Sequence, residues 1–172
     1  IGIYMVQLAK SVGATVIAID VDDKKLESAK RQGASYSINS RDLSEKDLKK
    51  QVRTMVKENN LPQHQWKVFE TSGTAGGQNT AFSLLSFAGT VGIIGFTMDK
   101  VNIRLSNIMA FDADFFGNWG CKPDYYSKVV DLVLDGTINV LDNIEEHPLD
   151  SINKILPLAL GHKLNKRVIF VP

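Results

Sequence analysis

The first twenty-five residues, IGIYMVQLAKSVGATVIAIDVDDKK, constrain the fold more than any other stretch. Met5, Leu8, Ala9 and Val12 recur at spacings of three and four, which predicts a helix over Gly2 to Val12 with these residues on one face. Gly13-Ala14 breaks the pattern. Thr15 to Ile19 then reads as an apolar strand that stops at Asp20.

Helix, tight turn, strand and terminal acid form the second half of a dinucleotide-binding βαβ unit. In the fingerprint GxGxxG, the third glycine lets the helix pack close to the strand, and an acid about twenty residues on accepts the adenosine ribose hydroxyls. Gly2 reads as that third glycine and Asp20 as that acid. On this reading the first strand and the two earlier glycines precede Ile1. A glycine and an aspartate also occur this way in an ordinary αβ pair, so the rest of the chain has to decide.

Along that chain, Asp22 is placed to cap a second helix with Leu26 and Ala29 turned inward and Gly33 past its end. Tyr36 to Ile38 is a short strand. Ser44 starts a helix, with Asp47 as a capping-box variant, Leu43 and Leu48 as a staple, and Leu48, Val52, Met55 and Val56 as the buried stripe. Asn59-Asn60 and Pro62 end it. Trp66 to Phe69 is a strand leading into the polar loop ETSGTAGGQ. A helix lined by Ala81, Leu84, Leu85 and Ala88 follows. Thr90 to Phe96 is almost wholly apolar, as in a parallel strand covered on both faces. Val101 to Leu105 alternates, and Ala113 to Trp119 is a further strand candidate. Pro123 fits the first turn of a helix carrying Val129, Val130, Leu132 and Val133 and closed by Gly136. Strands alternating with helices predict an α/β fold, a Rossmann-type doubly wound parallel sheet. The pattern changes after Gly136: Ile144 to His147 is extended, Leu149 to Leu160 is a helix that Pro157 should kink or shorten, and Lys166 to Val171 is a final strand. The expected division is residues 1–137 as the nucleotide-binding domain and 138–172 as a segment of a second domain.

Bulk properties exclude several classes. Twenty basic against nineteen acidic side chains give a net charge of +1, which offers no general attraction for nucleic acid or an anionic membrane. No apolar run approaches the ~18 residues of a membrane span. The single cysteine, Cys121, cannot form an internal disulfide and suits a reducing compartment, hence a cytoplasmic expectation. His64, His147 and His162 lie far apart, so no metal site is expected from this chain alone. Tyr125-Tyr126-Ser127-Lys128 lacks the YxxxK spacing of a catalytic pair, and no catalytic residue is assigned.

Gly2, Asp20 with Lys25 five residues on, FETSG at 69–73, VGIIGF at 91–96, FGNWG at 116–120 and the closing HPL…KRVIFVP together resemble the zinc-type medium-chain alcohol dehydrogenase family, over the whole chain. Within it, SGTAGGQNTAF, GFTMDKV, RLSNIMAF, GNWGC and EEHPLDSI resemble the branch that oxidises 6-hydroxycyclohex-1-ene-1-carbonyl-CoA in anaerobic aromatic degradation. The resemblance implies an enzyme that uses NAD and a catalytic zinc held in an N-terminal domain outside this chain. It implies a small-molecule substrate of the acyl-CoA type and a homo-oligomeric full-length protein. Residues from about 138 onward would be the piece that returns to the N-terminal domain, and this chain alone would be inactive.

The cofactor-binding candidates follow. Asp20 would accept the ribose hydroxyls and repel a 2′-phosphate, which selects NAD over NADP. By resemblance Lys25 also reaches the ribose, although a solvated lysine on an exposed helix accounts for it as well. Arg167 corresponds to an arginine that meets the cofactor phosphates, with Lys166 as a neighbour that a one-residue slip would substitute. Ser72 and Gly73 fall at the carboxyl edge of the sheet, where open α/β sheets bind ligands, and by resemblance flank the ribose and nicotinamide. Gly95, Phe96 and Trp119 fall where the family's backbone meets the carboxamide, with core packing an equal explanation for the two aromatics. Three other functions fit parts of the pattern. A zinc-independent quinone or enoyl reductase is disfavoured by Asp20. An S-adenosylmethionine methyltransferase also places an acid after its second strand, and a bare nucleotide-binding module needs no chemistry.

Overall fold

The computed structural model describes residues 1–161 and 163–172; His162, weighed above as a metal ligand, lies outside the described residues. Helix α1 (Gly2–Ser11) leads through Gly13, at φ +80°, into strand β1 (Ile17–Asp20). Glycine tolerates that left-handed backbone where other residues are strained. The buried face of α1 differs from the expected one. Val6 and Gln7 are buried, while Leu8 and Val12 face solvent. Val6 packs with Ala29 and Ala34 against Ile3, Val16 and Ala18. The inward stripe is therefore Ile3, Val6 and Gln7, and the polar glutamine hides its periodicity.

Helix α2 (Asp23–Arg31) is capped as expected: the Lys24 N–H donates to Asp22 Oδ1 at 2.9 Å, and Leu26 and Ala29 are buried. Strand β2 (Tyr36–Asn39) pairs with β1 in parallel, Ile17 opposite Tyr36. Helix α3 (Glu45–Glu58) begins at Ser44, whose hydroxyl accepts the Asp47 N–H at 3.1 Å. Its Leu48, Val52 and Val56 meet Ile38 and Leu84 in the main core, with Ile17 and Ile19 of β1 around them.

Strands β3 (Lys67–Glu70), β4 (Thr90–Ile93) and β5 (Asp114–Gly117) form a parallel three-stranded sheet in that order. Helix α4 (Ala75–Ser83) separates β3 from β4, and the short α5 (Ser106–Ala110) precedes β5. Val91 of β4 is fully buried against Ala81 and Leu85. Four local expectations are corrected. Gly76 and Gly77 belong to α4, because the Thr74 hydroxyl accepts the Gly77 N–H and starts the helix early. Ala88 does not line that helix; it is exposed, at φ +51° in the following turn. The apolar strand stops at Ile93, because the Ile94 and Gly95 N–H groups both turn back to the Glu70 carbonyl. Val101 to Leu105 forms no strand. Helix α6 (Tyr125–Leu134) starts two residues after Pro123 and leaves Val129 and Val130 half exposed.

Strands β1 and β3 meet through side chains: Ile17, Ile19 and Val68 all pack on the Leu84 and Val56 cluster. Among the described residues β1 pairs only with β2, and β3 only with β4. Parallel strands alternating with helices are the pattern of a doubly wound, Rossmann-type domain.

The C-terminal segment is a small parallel pair of its own. Strand β6 (Ile144–Pro148) and β7 (Arg167–Val171) align Ile144 with Arg167, and α7 (Ile152–Leu160) lies between them in sequence. Pro157 does not end α7. The Gly161 and Lys163 N–H groups bond back to the Pro157 and Leu158 carbonyls and close the helix beyond it. A web of amides ties the segment's start to the rest. Gln7 Nε2 donates to Gln32 Oε1 and to the Asn139 carbonyl, the Asn139 N–H donates to Gln7 Oε1, and Asn143 Nδ2 donates to Gln32 Oε1.

Candidate functional site

The sequence candidates lie in two groups, one on α1, β1, α2 and β7 and one after the carboxyl ends of β3, β4 and β5. The first gathers at the start of α1. The Gly2 and Ile3 N–H groups at its start have no intrahelical partner, as at any helix start. Lys25 and Arg167 lie close to the Ile1 end of α1. Lys25, Lys166 and Arg167 line one pocket of about 340 Å³, floored by Ile155, Leu164 and Phe170. Both Lys166 and Arg167 therefore reach the same space.

Asp20 closes β1 and is half buried. Its Oδ1 accepts the Asp22 N–H at 3.0 Å, which fixes the carboxylate in the turn, and among the described residues Oδ2 accepts no hydrogen bond. Gly2 packs against the next strand's exit: a Cβ there would stand 2.9 Å from Thr71 Oγ1. This close approach makes glycine the fitting residue and joins the α1 start to the loop after β3.

The second group surrounds that loop. A Cβ on Gly73 would lie 2.7 Å from the Phe96 carbonyl oxygen, and one on Gly95 would run into the Gly73 amide nitrogen. Two loops thus touch backbone to backbone, and Gly73 adds φ +67°. Ser72 is exposed on the outer side. Beyond them Phe96 and Trp119 stand 62 % and 85 % exposed, their rings edge to face at 5.5 Å. They do not pack in the core; they form an aromatic pair on the surface.

Glu70 and Thr71 are participants that the pattern of residues did not single out. Glu70 is 4 % exposed, and Oε1 accepts the Ser72 N–H, the Ser72 hydroxyl and the Gly73 N–H. The available signal was an acid closing an otherwise apolar strand immediately before the Ser-Gly turn. Among the described residues no group of three His, Cys, Asp or Glu side chains could hold one metal ion. Cys121 is exposed, and His147 lies 3.3 Å from Glu145 with its ring tilted against Phe170.

Comparison with known proteins agrees with this architecture. The chain is 29% identical to sorbitol dehydrogenase 1 of Saccharomyces cerevisiae, with 100% of this chain and 49% of that protein covered. It is 28% identical to D-arabitol-phosphate dehydrogenase of Enterococcus avium, over 87% of this chain and 42% of the relative. The alcohol dehydrogenase of the hyperthermophilic archaeon Aeropyrum pernix superposes with a TM-score of 0.83 at 25% identity, over 98% of this chain and 46% of that structure. The chain thus spans about half the length of the relatives it matches. Residues 1–135 match the sequence profile described as zinc-binding dehydrogenase, and the chain belongs to that family.

Proposed function

We propose that this chain is the nicotinamide-cofactor-binding part of an NAD-dependent dehydrogenase that oxidises a secondary alcohol. Asp20 carries the reading. It is a carboxylate at the end of β1 with one oxygen committed to the turn, while Lys25 and Arg167 lie near the start of α1. A diol and a diphosphate suit those two environments in turn: carboxylates accept paired hydroxyls, and helix starts with adjacent cations hold phosphate. The Gly73–Gly95 contact, which any side chain would disrupt, suits a flat ring laid on backbone.

When bound, NAD takes up the hydride that leaves the alcohol carbon. This chain's residues bind and orient. Asp20 would hold the adenosine ribose and oppose a 2′-phosphate. Lys25, Arg167 and, in the same pocket, Lys166 would offset the pyrophosphate charge. Ser72, Gly73, Gly95, Phe96 and Trp119 would bound the nicotinamide end. No proton-transfer group is assigned here.

The finer substrate reading is the ring hydroxyl of a cyclic acyl-CoA, supported by the segments at 72–82, 95–101 and 117–121. The polyol names of the relatives support the broader class of secondary alcohols. Residues 1–172 alone are expected to hold no stoichiometric zinc and to reduce no NAD with any alcohol. Assay of the full-length protein with NAD and a panel of cyclic acyl-CoA alcohols, polyols and simple secondary alcohols tests the reading. Alcohol-dependent NADH formation is expected. Reduction of a quinone or enoyl substrate by NADPH, with no alcohol oxidation, would replace it.

A further inference from the structure

We infer that Glu70 is a positioning residue that sets the two nicotinamide-side loops against each other; the inference rests on the cofactor reading above. Its backbone carbonyl and one carboxylate oxygen are both used on those loops. The backbone carbonyl accepts the Ile94 and Gly95 N–H groups at 2.9 and 3.0 Å, which ends β4 and aims Gly95. Carboxylate Oε1 accepts the Ser72 N–H at 2.7 Å, the Ser72 hydroxyl at 2.5 Å and the Gly73 N–H at 3.2 Å, which turns the chain after β3. One residue thus holds both strands' exits, and the exits touch: the space where a Gly95 side chain would begin is shared by the Gly73 backbone and Glu70 Oε2. A Cβ on Gly77 would stand 2.7 Å from Oε1, so α4 also closes over the carboxylate.

The second oxygen makes the case for function. Oε2 is buried and accepts no hydrogen bond among the described residues. An orphaned buried carboxylate oxygen costs folding free energy. A Ser or Asn could cap the Ser72–Gly73 turn without that cost. The carboxylate therefore supplies something the turn alone does not need, a rigid charge-assisted brace beneath Gly73 and Gly95. Asp20, Lys25 and Arg167 belong to the other group, so the adenosine half of the site does not depend on this brace.

Titration of the full-length protein with NADH and with ADP-ribose, which lacks the nicotinamide ring, separates the two halves. For Glu70→Ala the expected result is an NADH affinity at least about tenfold weaker, with ADP-ribose within about twofold of the wild type. Glu70→Asp, which keeps the charge but shortens the arm, should show the same NADH-selective loss and serves if the alanine variant does not fold. Glu70→Gln, which keeps an oxygen for the Ser72 and Gly73 donors but loses the charge, should bind NADH between the wild type and Glu70→Ala, again with ADP-ribose within about twofold. Equal losses for both ligands in folded variants would reduce Glu70 to general stability, and unchanged NADH binding would remove the brace; either overturns the inference. A wild-type protein that binds neither ligand overturns the cofactor reading itself, and this inference with it.

Discussion

Asp20 combines two tasks in one side chain. Oδ1 is held by the Asp22 N–H, so the carboxylate does not need to be ordered when a ligand arrives. Replacing Asp20 by Ala should weaken NAD binding by about 1–3 kcal/mol, the scale of hydrogen bonds lost at a formed site. Asp20→Asn keeps an acceptor for the turn and removes the charge, so it should narrow the preference for NAD over NADP with less loss of NAD affinity. Parallel titrations of both variants check this; an unchanged cofactor ratio in Asp20→Asn would mean that charge is not the selector. At Gly95 the constraint is steric. Gly95→Ala puts a methyl group onto the Gly73 amide and Glu70 Oε2. It should lower thermal stability by a few degrees, the consequence of overpacking by about 1–3 kcal/mol, and a melting curve equal to that of the wild type would show that the two loops can part freely.

Among the elements, α3 is held by its own cap and its own stripe, so its contribution can be measured locally. Ser44→Ala removes the acceptor for the Asp47 N–H and should cost about 1 kcal/mol in urea unfolding. The β6–β7 pair is different. It contributes to none of the buried clusters, and Leu149, Ile152, Leu156 and Leu160 are exposed, while Ile155 is buried. A two-stranded sheet is marginal by itself. Amides from about 140 to 165 should therefore exchange much faster than those of Val16 to Ile19 or Val91 to Ile94. Equal protection would merge residues 138–172 with the domain before them and remove the boundary near 137. What the sequence made legible was whatever is decided within a few residues. The Asp22 and Ser44 caps, the Gly13 and Gly33 turns and the Leu48, Val52 and Val56 stripe are of that kind. Gln7 and Glu70 were not legible as buried residues, because their partners lie far along the chain or beneath a loop. A polar residue on an inward face breaks the very periodicity by which faces are read. Asp20 could be read as a site because a charged residue ends an apolar strand there, whereas the convergence of Lys25 with Lys166 and Arg167 depended on how the C-terminal segment docks.

At the scale of the whole molecule, near-neutral net charge gives no long-range field to attract a dinucleotide, so affinity must come from a few placed groups. Binding through Lys25, Lys166 and Arg167 should weaken as salt rises, because these side chains are exposed and screened. On the proposed reading, the Asp20 hydrogen bonds would select the ribose with little dependence on salt. The central claim, that the β1 edge is an NAD site governed by Asp20, is tested most directly by calorimetric titration of the full-length protein with NADH and NADPH at one salt concentration. The account predicts strong preference for NADH, largely abolished by Asp20→Ala. Equal affinity of the wild-type protein for the two cofactors would contradict it.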